Sequence, residues 1–197
     1  MKAGIVVSSW LAVLLFGAIG CKVKVDKSDD GNNVKIATPF GGISVNKDQT
    51  SAAELGLPTY PGAVTDTEDD GKKSARVDMG FGSFKLHVRV AQYKSADDRD
   101  QVLAFYRKAL SEYGNVIECA GGKAVGPLSV TREGLTCDHS DHDHATSFSS
   151  GDLQLKAGST HHQHIVAFGG GSSSPTHFTL IALDLPHGFD NDEKGTN

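Results

Sequence analysis

The stretch that decides the fold is residues 75–93, ARVDMGFGSFKLHVRVAQY. Ala75, Val77, Met79 and Phe81 are apolar at odd positions, and Phe84, Leu86, Val88 and Val90 at even ones. A strand buries one face only while its alternation keeps a constant phase, so the flip between Phe81 and Phe84 needs a turn or an extra residue. Gly82-Ser83 supplies a turn, because glycine at the first of two loop positions suits a type II′ hairpin. The predicted pairs are Phe81 with Phe84, Met79 with Leu86, Val77 with Val88 and Ala75 with Val90, on an apolar face read as core. Asp78 with His87 and Arg76 with Arg89 fall on the other, more solvated face. A continuous strand with a bulge is the competing reading.

Beyond the hairpin a helix is expected. Ser95 is its predicted N-cap, with Asp97 and Asp98 in a first turn whose exposed N–H groups favour acids. Val102, Phe105, Tyr106, Ala109, Leu110 and Tyr113 recur at helical spacing, and Gly114 stands where a helix stops. Strand-like segments follow at 115–119, 135–138, 152–157, 161–168 and 176–185, separated by Gly121-Gly122 and the glycine-rich break from Gly169 to Pro175. Hairpin, helix and then strands predict an α+β fold, one amphipathic helix packed on an antiparallel sheet. The globular domain is expected over residues 51–186, opening on the proline-braced Leu57-Pro58-Thr59-Tyr60-Pro61-Gly62, with a polar tail over 187–197. Residues 21–50 read as a polar tether with weak strand character. Val23 and Val25 alternate with charges, and Val34-Lys35-Ile36 and Ile43-Ser44-Val45 are fragments that fit a small hairpin or a flexible stalk.

The N-terminus is of another kind. Lys2 precedes an apolar run from Ile5 to Phe16, too short for the about 20 residues that span a bilayer. A positive start, a short apolar run and small residues before a cleavage point describe a signal peptide over residues 1–20. Ala18-Ile19-Gly20-Cys21 resembles the lipobox of bacterial lipoproteins, which signal peptidase II cleaves before the cysteine. That resemblance implies that Cys21 becomes the first mature residue and carries lipid, anchoring the chain to a membrane of the cell envelope. Lys22, where Asp would favour inner-membrane retention, implies an outer-membrane anchor facing the periplasm. An uncleaved membrane anchor and a secreted form without lipid are the alternatives. Further along, Tyr60-Pro61-Gly62-Ala63 ahead of Phe105-Tyr106 is similar to a YPGA…FY pattern in envelope lipoprotein domains, a resemblance that implies no activity.

Composition narrows the function. The chain has 197 residues and a formal net charge of −5. It lacks the basic patch of a nucleic-acid-binding protein, so no nucleic-acid partner is expected. No nucleophile elbow, zinc-protease helix, P-loop or dinucleotide fingerprint occurs, and no catalytic residue or enzyme activity is expected. With Cys21 set aside, Cys119 and Cys137 remain, 18 residues apart. In an oxidising compartment they are expected to form a disulfide worth about 3 kcal/mol in the chain-entropy picture. Two free thiols or a metal site are the alternatives. Six histidines cluster as His139, His142 and His144 in an acidic loop and His161, His162 and His164 in a strand-like segment. Imidazole binds divalent zinc, copper and nickel, and His162 and His164 share a strand face. The expected function is therefore a lipid-anchored envelope lipoprotein with a non-catalytic structural or partner- or ligand-binding role and no cofactor. Capture of a divalent transition metal by the six histidines is the alternative.

Overall fold

The computed structural model describes residues 24–27, 33–47, 50–66, 74–137, 153–169 and 174–186. The signal segment, Cys21, His139, His142, His144 and the polar tail lie outside the described residues. In chain order the strands are β1 (Lys24–Lys27), β2 (Asn33–Thr38), β3 (Gly41–Lys47), β4 (Val64–Thr65), β5 (Ser74–Phe81) and β6 (Phe84–Ser95). Helix α1 (Arg99–Leu110) follows, then β7 (Ile117–Ala120), β8 (Lys123–Ala124), β9 (Leu153–Gly158), β10 (His162–Phe168) and β11 (Thr176–Asp184).

The hairpin forms in the predicted register, from Ala75 opposite Val90 to Phe81 opposite Phe84. Gly82 takes φ 60°, the left-handed backbone that this turn demands. Every pairing is antiparallel, in the order β1-β2-β3-β5-β6-β11-β10-β9-β7-β8, with β4 pairing β6 beyond the end of β5. Residues 24–47, inside the stretch read as a tether, supply β1 to β3, and β3 pairs β5 from Gly41 opposite Phe81 to Lys47 opposite Ala75. The α+β expectation is thereby corrected. The described residues are sheet-dominated, 53% strand, with α1 and a three-residue 3-10 turn at Ser111–Tyr113 as the helical segment after the hairpin. The physical reason is that β1 to β3 have few apolar side chains and are held by backbone ladders, which hydropathy does not show.

The main core lies on the opposite hairpin face from the one predicted. Ala91 and Tyr93 of β6, Phe178 and Leu180 of β11, Val166 and Phe168 of β10 and Leu155 of β9 are buried on the face that carries Asp78 and His87 farther along. Helix α1 packs there with Val102, Leu103, Tyr106 and Leu110. It starts later than expected, with Asp98 in the cap position, while Ser95 Oγ accepts the Asp97 N–H at 3.1 Å. Its rings interlock with the segment before β4 and with the sheet: Tyr60 meets Phe105 edge-on at 5.1 Å, and Tyr106 meets Phe178 at 5.4 Å. The Tyr93 hydroxyl accepts the Ala52 N–H at 3.0 Å and the Tyr60 hydroxyl donates to Asp97 at 2.7 Å, so these buried rings keep polar partners. The apolar hairpin face, from Val77 and Met79 to Leu86 and Val88, is only half-buried. Farther along that same face Ile117, Cys119, Cys137 and Ala124 make a small second cluster, with Cys119 and Cys137 at disulfide distance and their Cα atoms 5.5 Å apart. Segment 135–138, expected as a strand, contributes an isolated bridge between Val130 and Thr136.

This inversion of the core is measurable. Leu180→Ala, in the fully buried cluster, should lower unfolding stability in urea by about 3 kcal/mol, whereas Leu86→Ala on the half-buried face should cost less than half as much. Equal losses would remove the distinction between the two faces, and a larger loss at Leu86 would place the core on the other one.

Candidate functional site

The face that carries the core is open at its other end. There Ala37, Gly42 and Gly80 lie side by side across β2, β3 and β5, with Lys85 next on β6. With no side chains on the two glycines, the floor is bare backbone, and an open trough of about 480 Å³ forms above it. Lys35, Ser44, Asp78, Lys85 and His87 line the trough. Register puts these groups together from three separate segments. Lys35 faces Ser44, Ser44 faces Asp78, and Asp78 faces His87.

Asp78 is held from two sides. His87 Nδ1 lies 2.6 Å from Oδ1, and Arg76 Nε lies 3.0 Å from Oδ2. A carboxylate only accepts, so His87 carries its proton on Nδ1 and turns Nε2 away from the pair. Burial works against ionisation of Asp78, but the His87 hydrogen bond and the Arg76 charge outweigh it and hold its carboxyl below the ordinary range. Asp78 is therefore ionised and neutralised in place. Lys85, together with Lys35 opposite Asp26 on β1, then leaves the trough with a positive surplus, which suits a carboxylate or phosphate.

The row continues across the sheet. His87 faces Asp184 on β11, and Asp184 faces His162 on β10. His162 Nδ1 lies 2.9 Å from Asp184 Oδ1. His164, two residues on and on the same face, is turned to a different purpose. Its ring stacks on Tyr113 with centroids 3.7 Å apart, and the Tyr113 hydroxyl donates to the Gly56 carbonyl. Gly56 closes the Ala52–Leu55 3-10 turn at φ 72°. Burial is the largest influence on His164 and pushes its pKa down, and the neighbouring His162 adds to this, against smaller opposing effects of Asp184 and the Leu55 backbone. His161 is half-buried just before β10, and its carbonyl accepts the Leu185 N–H at 2.7 Å.

Of the six clustered histidines, then, the structure places His162 and His164 on one face of β10 and His161 just before it. Among the described residues no three His, Cys, Asp or Glu side chains form a group that could hold a metal ion. Sequence reasoning found the Asp78–His87 pair but missed Lys35, Ser44, Lys85 and Asp184. The signal for Lys35 and Ser44 was present in Val34-Lys35-Ile36 and Ile43-Ser44-Val45, where the polar centre of each triplet faces away from its apolar flanks. No protein-family model matches the chain, and neither a curated protein nor a solved structure does.

The His164 contact gives a pH dependence of known sign. A base whose folded pKa lies below its unfolded value of 6.5 binds more protons when unfolded, so the folded state is favoured above that value and loses ground as pH falls. Stability should drop as pH falls through about 6.5 towards the depressed folded value, and His164→Phe should flatten that part of the profile. An unchanged slope in the variant would remove His164 as its source.

Proposed function

We propose that the chain is a lipid-anchored protein of the cell envelope with a non-catalytic role, binding a small anionic ligand in the trough over Gly42 and Gly80. The observation that carries the reading is the trough itself: a bare floor, two lysines on its walls, and an acid–histidine–arginine set neutralised before any ligand arrives. A carboxylate or phosphate would pair with Lys35 and Lys85 and take a further hydrogen bond from Ser44. His87 is committed to Asp78 rather than to a nucleophile, which favours binding over catalysis. The lipobox-like Ala18-Ile19-Gly20-Cys21 supports the anchor, and Lys22 an outer-membrane position facing the periplasm. No helix among the described residues is long and apolar enough to cross a membrane.

Both halves of the proposal have direct tests. Inorganic phosphate or a simple monocarboxylate should raise the Tm of the native chain and raise that of the Lys35→Gln/Lys85→Gln double variant much less. Equal shifts in both proteins would sink the trough as the site. Metabolic palmitate should label the wild-type chain and fail to label Cys21→Ser, and label that survives the substitution would overturn the anchor.

A further inference from the structure

Two hairpin tips lie side by side at one end of the sheet. The β2–β3 turn carries Phe40, 76% exposed, and the β5–β6 turn follows Phe81, 40% exposed. They are neighbours because Gly41, next to Phe40, pairs with Phe81. Val25 on the edge strand β1, two strands from β3, is 54% exposed near the same end. These three are half of the six exposed large hydrophobics among the described residues. Such residues are unremarkable singly, but a cluster at the tips of adjacent hairpins marks a surface that something apolar covers.

Where the chain enters identifies the partner. Strand β1 starts at this same end, since Lys24 pairs with Ala37 one residue before Thr38 closes β2. Cys21 is three residues upstream of Lys24. Three extended residues reach at most about 11 Å. A lipid on Cys21 would therefore hold Lys24, at the tip end of β1, within about one helix diameter of the bilayer, with the Phe40 tip two strands and the Phe81 tip three strands along the same end of the sheet. Lys24 and Lys85 flank the tips, with Lys35 one step behind, in a chain that is acidic overall. Aromatic side chains at the interface with lysines beside them match the surface of an anionic bilayer.

We propose that the Phe40 and Phe81 hairpin tips, with Lys24 and Lys85, form a docking surface that seats this end of the sheet in an anionic bilayer beside the lipidated Cys21. This rests on the lipid anchor proposed above. Multiple acyl chains already retain a protein at a membrane, so the tips set its orientation rather than its residence.

The test uses the full chain, produced in a bacterial envelope and reconstituted in vesicles of phosphatidylethanolamine and phosphatidylglycerol. Trp10, the sole tryptophan, lies in the segment that cleavage before Cys21 removes, and Phe40→Trp places a reporter at the tip of the mature chain. Val125→Trp, 54% exposed after the opposite edge strand β8, is the control. The Phe40→Trp emission should shift to the blue and be quenched by lipids brominated on their acyl chains, while Val125→Trp emission stays unshifted and unquenched. Mass spectrometry of the same samples reads lipid on Cys21 separately. Lipidated protein with an unquenched Phe40→Trp overturns the docking surface and leaves the anchor standing. Protein without lipid on Cys21 overturns the anchor and the docking that depends on it. A blue shift in vesicle-free solution that grows with protein concentration overturns the bilayer as partner in favour of a second copy of the chain.

Discussion

The phase of β6 is the constraint on which the rest of the structure depends. Its twelve residues pair with β5 on one side as far as Ala91, with β4 at Tyr93 and Lys94, and with β11 on the other side along nine positions. Two turn residues, Gly82 and Ser83, fix that phase. Side chains alternate strictly across a sheet, so a slip of one residue would bring Val88 and Val90 to the helix side and carry Ala91 and Tyr93 away from α1. Everything from β1 to β8 inherits the choice through an unbroken antiparallel series.

What the sequence made legible follows from this. The hairpin register was readable because apolar side chains mark both phases and glycine marks the reversal. The helix stripe was readable because Val102, Tyr106 and Leu110 keep their spacing over three turns. Which hairpin face forms the core was not readable from 75–93. Both faces of the hairpin remain half-buried, and the core is made by residues from β6, β9, β10, β11 and α1 that meet only once the sheet is assembled. The balance of sheet over helix was hidden in residues 24–47 for a related reason. Their alternation is carried by single valines and isoleucines, and their pairing by backbone N–H and C=O groups that every residue type has.

The site was still less legible, because its parts are neighbours only across strands. Asp26, Lys35, Ser44, Asp78, His87, Asp184 and His162 occupy one row over seven strands, each directly opposite the next. Hydrogen-bonded or oppositely charged side chains facing one another across strands contribute about 0.2–1 kcal/mol per pair, so such a row reinforces the register of strands that have little apolar area to do so. A one-residue slip of β2 would put Val34 and Ile36 on this polar face and remove Lys35 from Ser44. No short motif could show it, since the contributing residues are spread from position 26 to position 184.

The same row divides its face in two. On one side Ala91, Leu180, Val166 and Leu155 lie under α1. On the other, two residues along each strand, Gly42 and Gly80 form the trough floor, and one residue further Gly41 and Phe81 reach the hairpin tips. A residue step along a strand is about 3.4 Å, so the trough lies within a few ångströms of the tips. With the tips in a bilayer, the trough would open at the level of the phosphate and carboxylate headgroups, where Lys35 and Lys85 meet the ligand chemistry they suit. Binding and anchoring would then be two uses of one end of the sheet, and α1 would serve the opposite end by sealing the core that holds β6 in phase.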